Sequence, residues 1–393
     1  MSRLRRVAAL ALLLATLAPG VAAAPASKRV AFIIDSWHQN SHPDVIGRRF
    51  LEGYKVADRS YTSPVTVASV FTDDPRPTDQ TRALAAKHHF RIAGSIAEAL
   101  LEDPRAPRPR LAVDGILVAT RENPQRNGMA SSPTPRLQTM REIYRILDQA
   151  GATVPIFIDK MLSANWADSQ TIVAEAARRQ IPLMAGSVLP HTPLDRPVRA
   201  GRVEVAVAIT AGPYWAWAHH TAEFLQGFME QRAAREAGIT SIREAGASFG
   251  TLPDRDRWGG RLFDALLPTA RTRATGGGRA ESSILLIQYA DGARAVLALL
   301  PRAFEEGELL LGAQYVDGST AMGGLVLKGE PFDHFGYLVH ALVEFYTTGK
   351  APVPVERALL TTGVVLLGQQ AREGGGVLAT PSLAVQYLSP RRP

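Results

Sequence analysis

The first residue in this chain to which chemistry can be assigned is a lysine at the end of an apolar run. Residues 154–160 read VPIFIDK, so Lys160 closes a strand-like segment and Asp159 stands just before it. In a parallel sheet, a lysine at a strand's carboxyl end sits at the crevice where ligands bind. A second group lies at 214–223, YWAWAHHTAE, where Tyr214, Trp215 and Trp217 stand beside His219 and His220. Aromatic faces beside polar groups suit a sugar ring, and they suit a domain core equally well. The residue four before His220 is Ala216, and for His219 it is Trp215, so neither histidine has an orienting acid one helical turn before it. His38 and His42 are four apart with Asp44 close by, which invites a metal reading, but Pro43 points to a polar loop ahead of a helix. No G-x-S-x-G elbow supports serine-hydrolase chemistry. The sequence has no cysteine, which excludes disulfides, thiolate metal ligands, cysteine nucleophiles and a lipidated-cysteine anchor.

Short β-branched runs alternate with helical stretches as far as residue 190. Strands are expected over 29–34, 64–71, 112–119, 154–158 and 182–184, and helices over 43–55, 78–88, 137–149 and 168–179. In the third helix Met140, Ile143, Tyr144 and Leu147 share one face. This alternation predicts an α/β N-terminal domain, a Rossmann-like doubly wound parallel sheet covered on both faces, over 27–190. A proline- and charge-rich loop at 191–199 marks a boundary. Longer runs at 203–210, 283–289 and 295–300, with helices at 221–232 and 335–346, predict an α+β domain with a large open mixed sheet over 191–393. The glycine run 276–278 and the tail after Ala371 read as loose. At 393 residues, 46% hydrophobic and 21% charged, the chain is long enough for two cores. The net charge of +7 is spread over the termini (Arg3, Arg5, Arg6, Arg391, Arg392) and scattered arginines, without the basic patch a nucleic-acid partner needs.

Residues 1–26 read as a signal peptide. Arg3, Arg5 and Arg6 precede an apolar stretch from Val7 to Ala18, and Ala24-Pro25-Ala26 matches a small-x-small cleavage site. An uncleaved anchor is the other reading, although the stretch falls short of the roughly 20 residues that span a bilayer. The expectation is an exported, periplasmic or extracellular protein with no stable membrane insertion once the signal is removed.

The segment 154–190, VPIFIDKMLSANWADSQTIVAEAARRQIPLMAGSVLP, carries a family resemblance. It resembles the pattern of Gfo/Idh/MocA oxidoreductases, in which a strand ends in Glu-Lys-Pro and a helix and a glycine-ended strand follow. AVDGILVAT at 112–120, RIAGSIAEAL at 91–100, YADGARAVL and the late Gly-Lys-Ala-Pro-Val turn are similar to further family features. The resemblance implies NAD or NADP bound at Ser36, Trp37, His38, Ser41, Asp73, Thr120, Asp159 and Lys160. It also implies a sugar-like or polyol substrate at Lys160, Tyr214, Trp217, His219 and His220, with Lys160 and His220 catalytic and no metal. Lys160 would lie by the nicotinamide ribose and the substrate hydroxyl. Asp159 replaces the family's Glu and Met161 its Pro. A homodimer through the C-terminal sheet is a further implication.

Two departures count against hydride transfer. A dinucleotide site needs a glycine-rich first turn so that backbone can meet the pyrophosphate. Here that turn is Asp35-Ser36-Trp37-His38-Gln39-Asn40-Ser41-His42-Pro43, with no glycine before Gly47. Ser41 can still cap the helix, with Pro43 in its first turn, and leave N–H groups for a phosphate or carboxylate. Asp73 can bind a ribose hydroxyl in NAD fashion or be a solvated turn acid. The other departure is the missing acid beside His220. Export adds to both, because nicotinamide cofactor is scarce outside the cytoplasm. A twin-arginine substrate carries its cofactor with it, but Arg5-Arg6 is followed by Val7-Ala8-Ala9 rather than Phe-Leu, so the signal leans Sec. Two functions stay open: an NAD(P)-dependent oxidoreductase, and a binding protein that keeps the fold and holds a carbohydrate or small polar ligand without cofactor.

Overall fold

The structure is a computed structural model that describes residues 27–122, 132–274 and 282–390. The signal segment, the 276–278 glycines and the last arginines lie outside the described residues. The chain opens with β1 (Lys28–Ile34), α1 (His42–Glu52), a small hairpin of β2 (Tyr54–Val56) and β3 (Arg59–Tyr61), then β4 (Val65–Thr72) and α2 (Thr81–His88). It continues through β5 (Arg91–Ala93), α3 (Ile96–Leu100), β6 (Gly115–Ala119), α4 (Arg136–Ala150), β7 (Ile156–Asp159), α5 (Trp166–Arg178) and β8 (Leu183–Gly186). These strands, the hairpin excepted, form a six-stranded parallel sheet in the order β5-β4-β1-β6-β7-β8. The order reverses between β1 and β6, and the crevice at such a switch point is where ligands bind in open α/β sheets. Along β1, Val30, Phe32 and Ile34 belong to one core cluster and Ala31 and Ile33 to the other, all fully buried. Period-two alternation with both faces covered makes the run uniformly apolar.

The second half comprises β9 (Val203–Thr210), α6 (Tyr214–Met229), β10 (Ile239–Glu244), α7 (Gly260–Leu266), β11 (Ser283–Tyr289), β12 (Arg294–Leu299), β13 (Glu308–Tyr315) and β14 (Thr320–Val326). Last come α8 (Phe335–Thr348), α9 (Val355–Gly374) and β15 (Val377–Ala379). The sheet has seven strands in the order β14-β13-β9-β12-β11-β10-β15, antiparallel except for β9 beside β12. Its inner face packs under α6. Its outer face is covered by residues 246–269, where Phe249, Trp258, Leu262 and Phe263 meet Val207, Ile209 and Val296.

One expectation is corrected. The tail beyond Ala371 is not loose: β15 pairs with β10, and Tyr387 is buried. Helices α8 and α9 follow the second sheet in sequence yet pack back on the first. Tyr346 of α8 donates to the Ile116 carbonyl at 3.0 Å, and a β-carbon at Gly115 would come within 2.5 Å of its ring. Helix α9 lies between the halves, against α5 and β8 on one side and α6 and β10 on the other. Among the described residues no helix is long and apolar enough to cross a membrane.

Candidate functional site

The carboxyl ends of β1, β6 and β7 and the start of α6 enclose a cavity of about 530 Å³. Lys160 lines it at the tip of β7, as its place in the sequence predicts. Its backbone holds the left-handed conformation, φ 65°, and its N–H donates to the Gly186 carbonyl at 3.0 Å. A non-glycine residue in that region is strained. Here the fixed backbone sets where the lysine side chain leaves the strand. Arg136 secures the same edge from below. Its buried guanidinium donates to the carbonyls of Thr120, Asp159 (3.2 Å) and Met161 (2.5 Å), joining the ends of β6 and β7.

Asp159 and His42 pair in the cavity wall. His42 Nδ1 lies 2.9 Å from Asp159 Oδ1, a bond from the first residue of α1 to the end of β7. Burial pushes Asp159 up, but the charge and hydrogen bond of His42, with Lys160 and Arg136, more than offset it and bring its pKa to about 2. Burial pulls His42 below 6.5, and Asp159 only partly restores it. At neutral pH the pair is thus a carboxylate accepting Nδ1–H from a neutral imidazole, and Nε2 is left with a lone pair. A histidine oriented by a buried acid is the arrangement of a general base. The sequence reading looked for it at His220 and found no acid; the structure builds it at His42.

His219 and His220 both line the cavity. Burial, then the nearby Lys160 charge, drives His219 to about 3 and His220 well below its ordinary value, so both are neutral polar groups here. The His220 ring stands 6.3 Å from that of His42. Both His219 ring nitrogens, His38 Nδ1 and Trp215 Nε1 are buried without a partner among the described residues. Buried polar atoms are nearly always hydrogen-bonded, so four such atoms around one cavity call for water or a ligand there. Of the aromatic trio on α6, Trp215 is the one on the wall. Tyr214 is a core residue whose hydroxyl donates to the Val365 carbonyl at 2.7 Å. Trp217 lies over Gly212 and donates to Glu306 at 3.0 Å, off the cavity. Among the described residues no three metal-ligating side chains are grouped to hold an ion.

The residues expected at a cofactor divide. His38, Ser41, Thr120, Asp159 and Lys160 line the cavity. Ser41 caps α1, its hydroxyl accepting from Asp44 N at 3.3 Å. Ser36, Trp37 and Asp73 do not reach it. Ser36 is fully buried and donates to Asp79 at 3.0 Å. The Trp37 indole is sandwiched between Phe32 and Phe90, with centroids 5.7 and 5.9 Å away. Asp73 accepts from Thr134 N and Oγ1 at 3.1 and 2.9 Å, which makes it a loop staple. The turn does not fit a dinucleotide's diphosphate: it has no glycine, and the N–H groups of Ser36, Trp37, Asn40 and Ser41 already have acceptors within the protein.

No protein-family model and no curated protein matches the chain. Solved structures do. A probable dehydrogenase from Thermotoga maritima aligns over 90% of this chain and 99% of its own, with TM-score 0.56 and 13% identity. GenD2 from gentamicin A biosynthesis, solved in complex with NAD, aligns over 91% and 97%, with TM-score 0.57 and 14% identity. Scyllo-inositol dehydrogenase from Lactobacillus casei, with bound NAD(H) and scyllo-inositol, aligns over 90% and 99%, with TM-score 0.55 and 9% identity. At such identities the likeness is one of fold. The chain has the two-domain dehydrogenase fold of the Gfo/Idh/MocA type, as its sequence led us to expect.

Proposed function

We propose that this chain uses the dehydrogenase scaffold to hold a small polyhydroxylated, sugar-like ligand in the cavity between its two sheets. The observation that carries the reading is the set of polar atoms at His38, Trp215 and His219 unpartnered among the described residues, in a cavity that is also lined by a lysine without a side-chain partner among them. Neutral imidazoles offer a donor or an acceptor to hydroxyl groups, and the Trp215 ring offers a face for the C–H side of a sugar. Lys160 and Arg76, a second lining cation without an ion-pair partner among the described residues, add a place for a carboxylate. Export as read from residues 1–26 supports a ligand met outside the cytoplasm.

A second reading, NAD(P)-dependent oxidation of a sugar-like hydroxyl, is favoured by the Asp159–His42 pair beside Lys160, which together suit proton removal from an alcohol. Titration calorimetry of the mature protein with inositols, hexoses and aldonates separates the outcomes. Saturable binding of one class, weakened at least tenfold in Lys160→Ala with an unchanged melting temperature, supports the first reading. Turnover of a polyol that requires added NAD(P) establishes the second. Binding that survives Lys160→Ala removes that residue from the site.

A further inference from the structure

We propose that the chain's own carboxyl groups occupy the seat of the cofactor diphosphate and close the groove to dinucleotides. In a dinucleotide-binding turn, backbone N–H groups and a helix N-terminus receive the pyrophosphate. In this chain the same groups receive side chains. Asp79, from the loop between β4 and α2, takes the Trp37 N–H at 2.7 Å, the Ser36 hydroxyl at 3.0 Å and the Thr81 N–H at 2.9 Å. Asp44, in the first turn of α1, takes the Asn40 N–H at 3.0 Å and the Trp37 indole N–H at 2.9 Å. Asp35 takes the Ser36 N–H at 3.1 Å.

The neighbouring cations are engaged as well. Arg48 pairs with Asp44 at 2.7 Å, and Arg121 with Asp35 and Asp74 at 2.7 and 2.6 Å. A diphosphate entering here would meet carboxyl groups in place of free N–H donors, and like charges at contact repel strongly in a buried site. The space is filled too. Trp37 lies flat under α1, where a β-carbon at Gly47 would come within 2.5 Å of its ring. The turn's one close approach of backbone is thus used to pack a tryptophan. On the other side of β1, the His42–Asp159 bond arches over the end of β6, because β6 lies between β1 and β7 in the sheet. That bond crosses the line along which a dinucleotide would run from the β1 turn toward Lys160.

This inference deepens the first functional reading but does not depend on the ligand's identity, so the two can fail separately. The test is a fluorescence titration of the wild-type protein with NADH and NADPH, together with melting curves in inorganic pyrophosphate. Wild type should show no saturable dinucleotide binding at millimolar concentration and no pyrophosphate stabilisation. Asp79→Gly, which frees the Trp37 and Thr81 N–H groups, should melt lower and regain about 3 °C with millimolar pyrophosphate. Asp79→Asn, which keeps the side chain's size, serves if the glycine variant does not fold. Micromolar NADH or NADPH binding by wild type overturns the proposal. Pyrophosphate that stabilises wild type as much as the variant, or leaves the folded variant unchanged, also overturns it.

Discussion

Asp159 and His42 are separated by 117 positions in sequence and by one hydrogen bond in space. Because the Asp159 charge raises the His42 pKa, Asp159→Asn should lower it further, with NMR titration of the His42 ring as the measurement. A rise would mean that some other group sets that ionisation. Stability should follow the buried histidines. His42 and His219 both have folded-state values below 6.5, so the unfolded chain binds more protons in acid. Their contribution is complete above pH 6.5 and is lost as pH falls toward about 3 for His219, at roughly 1.4 kcal/mol per pH unit per group. Urea midpoints at pH 7 and pH 5 check this, and His219→Gln should flatten the slope. Lys160 was legible in the sequence because strand ends in a parallel sheet have one destination. His42 was not, because Pro43 reads it into a polar loop ahead of a helix, whereas its actual partner is on a strand that only the fold brings near. The available clue was topological: an acid ending β7 and a histidine opening α1 both face the carboxyl edge of the same sheet.

Helices show the same division between local and tertiary information. Helix α4 displayed its apolar face in sequence, and it forms over Arg136–Ala150 much as expected. Helix α9 was not anticipated from the sequence, and its middle, Thr361-Thr362-Gly363-Val364-Val365, holds β-branched residues and a glycine that disfavour a helix on their own. It is helical because it fits between the halves. A β-carbon at Gly363 would lie 2.3 Å from Leu383 and 2.9 Å from Trp166, so only glycine allows this approach. Helix α6 is buried on nearly all sides, so spacing alone could not tell which aromatic would reach the cavity. One ion pair fastens α9. Arg357 makes two hydrogen bonds to Glu230, at 2.9 and 2.6 Å, and Tyr387 adds a third at 3.0 Å. Arg357→Ala strands a buried carboxylate and should cost about 3–5 kcal/mol. The double replacement Arg357→Leu with Glu230→Leu should cost much less, as urea unfolding of both variants would show. Equal losses would mean that the pair contributes only its packing.

The second sheet decides how the whole molecule presents itself. Its inner face takes α6, and its outer face is sealed by residues 246–269 through Phe249, Trp258, Leu262, Phe263 and Leu266. Side chains of that size each bury about 1.5–3 kcal/mol of hydrophobic free energy against the sheet, so the cover does not lift easily. Among the described residues of the second half, the large apolar side chains left exposed are Val316, Met322, Val377 and Leu388. The full chain should therefore elute as a monomer with a light-scattering mass near 42.4 kDa. Replacing Trp258 and Phe263 together by serine should uncover the apolar sheet and produce concentration-dependent self-association. A wild-type dimer that those two changes dissociate would show instead that residues 246–269 are the interface rather than its substitute.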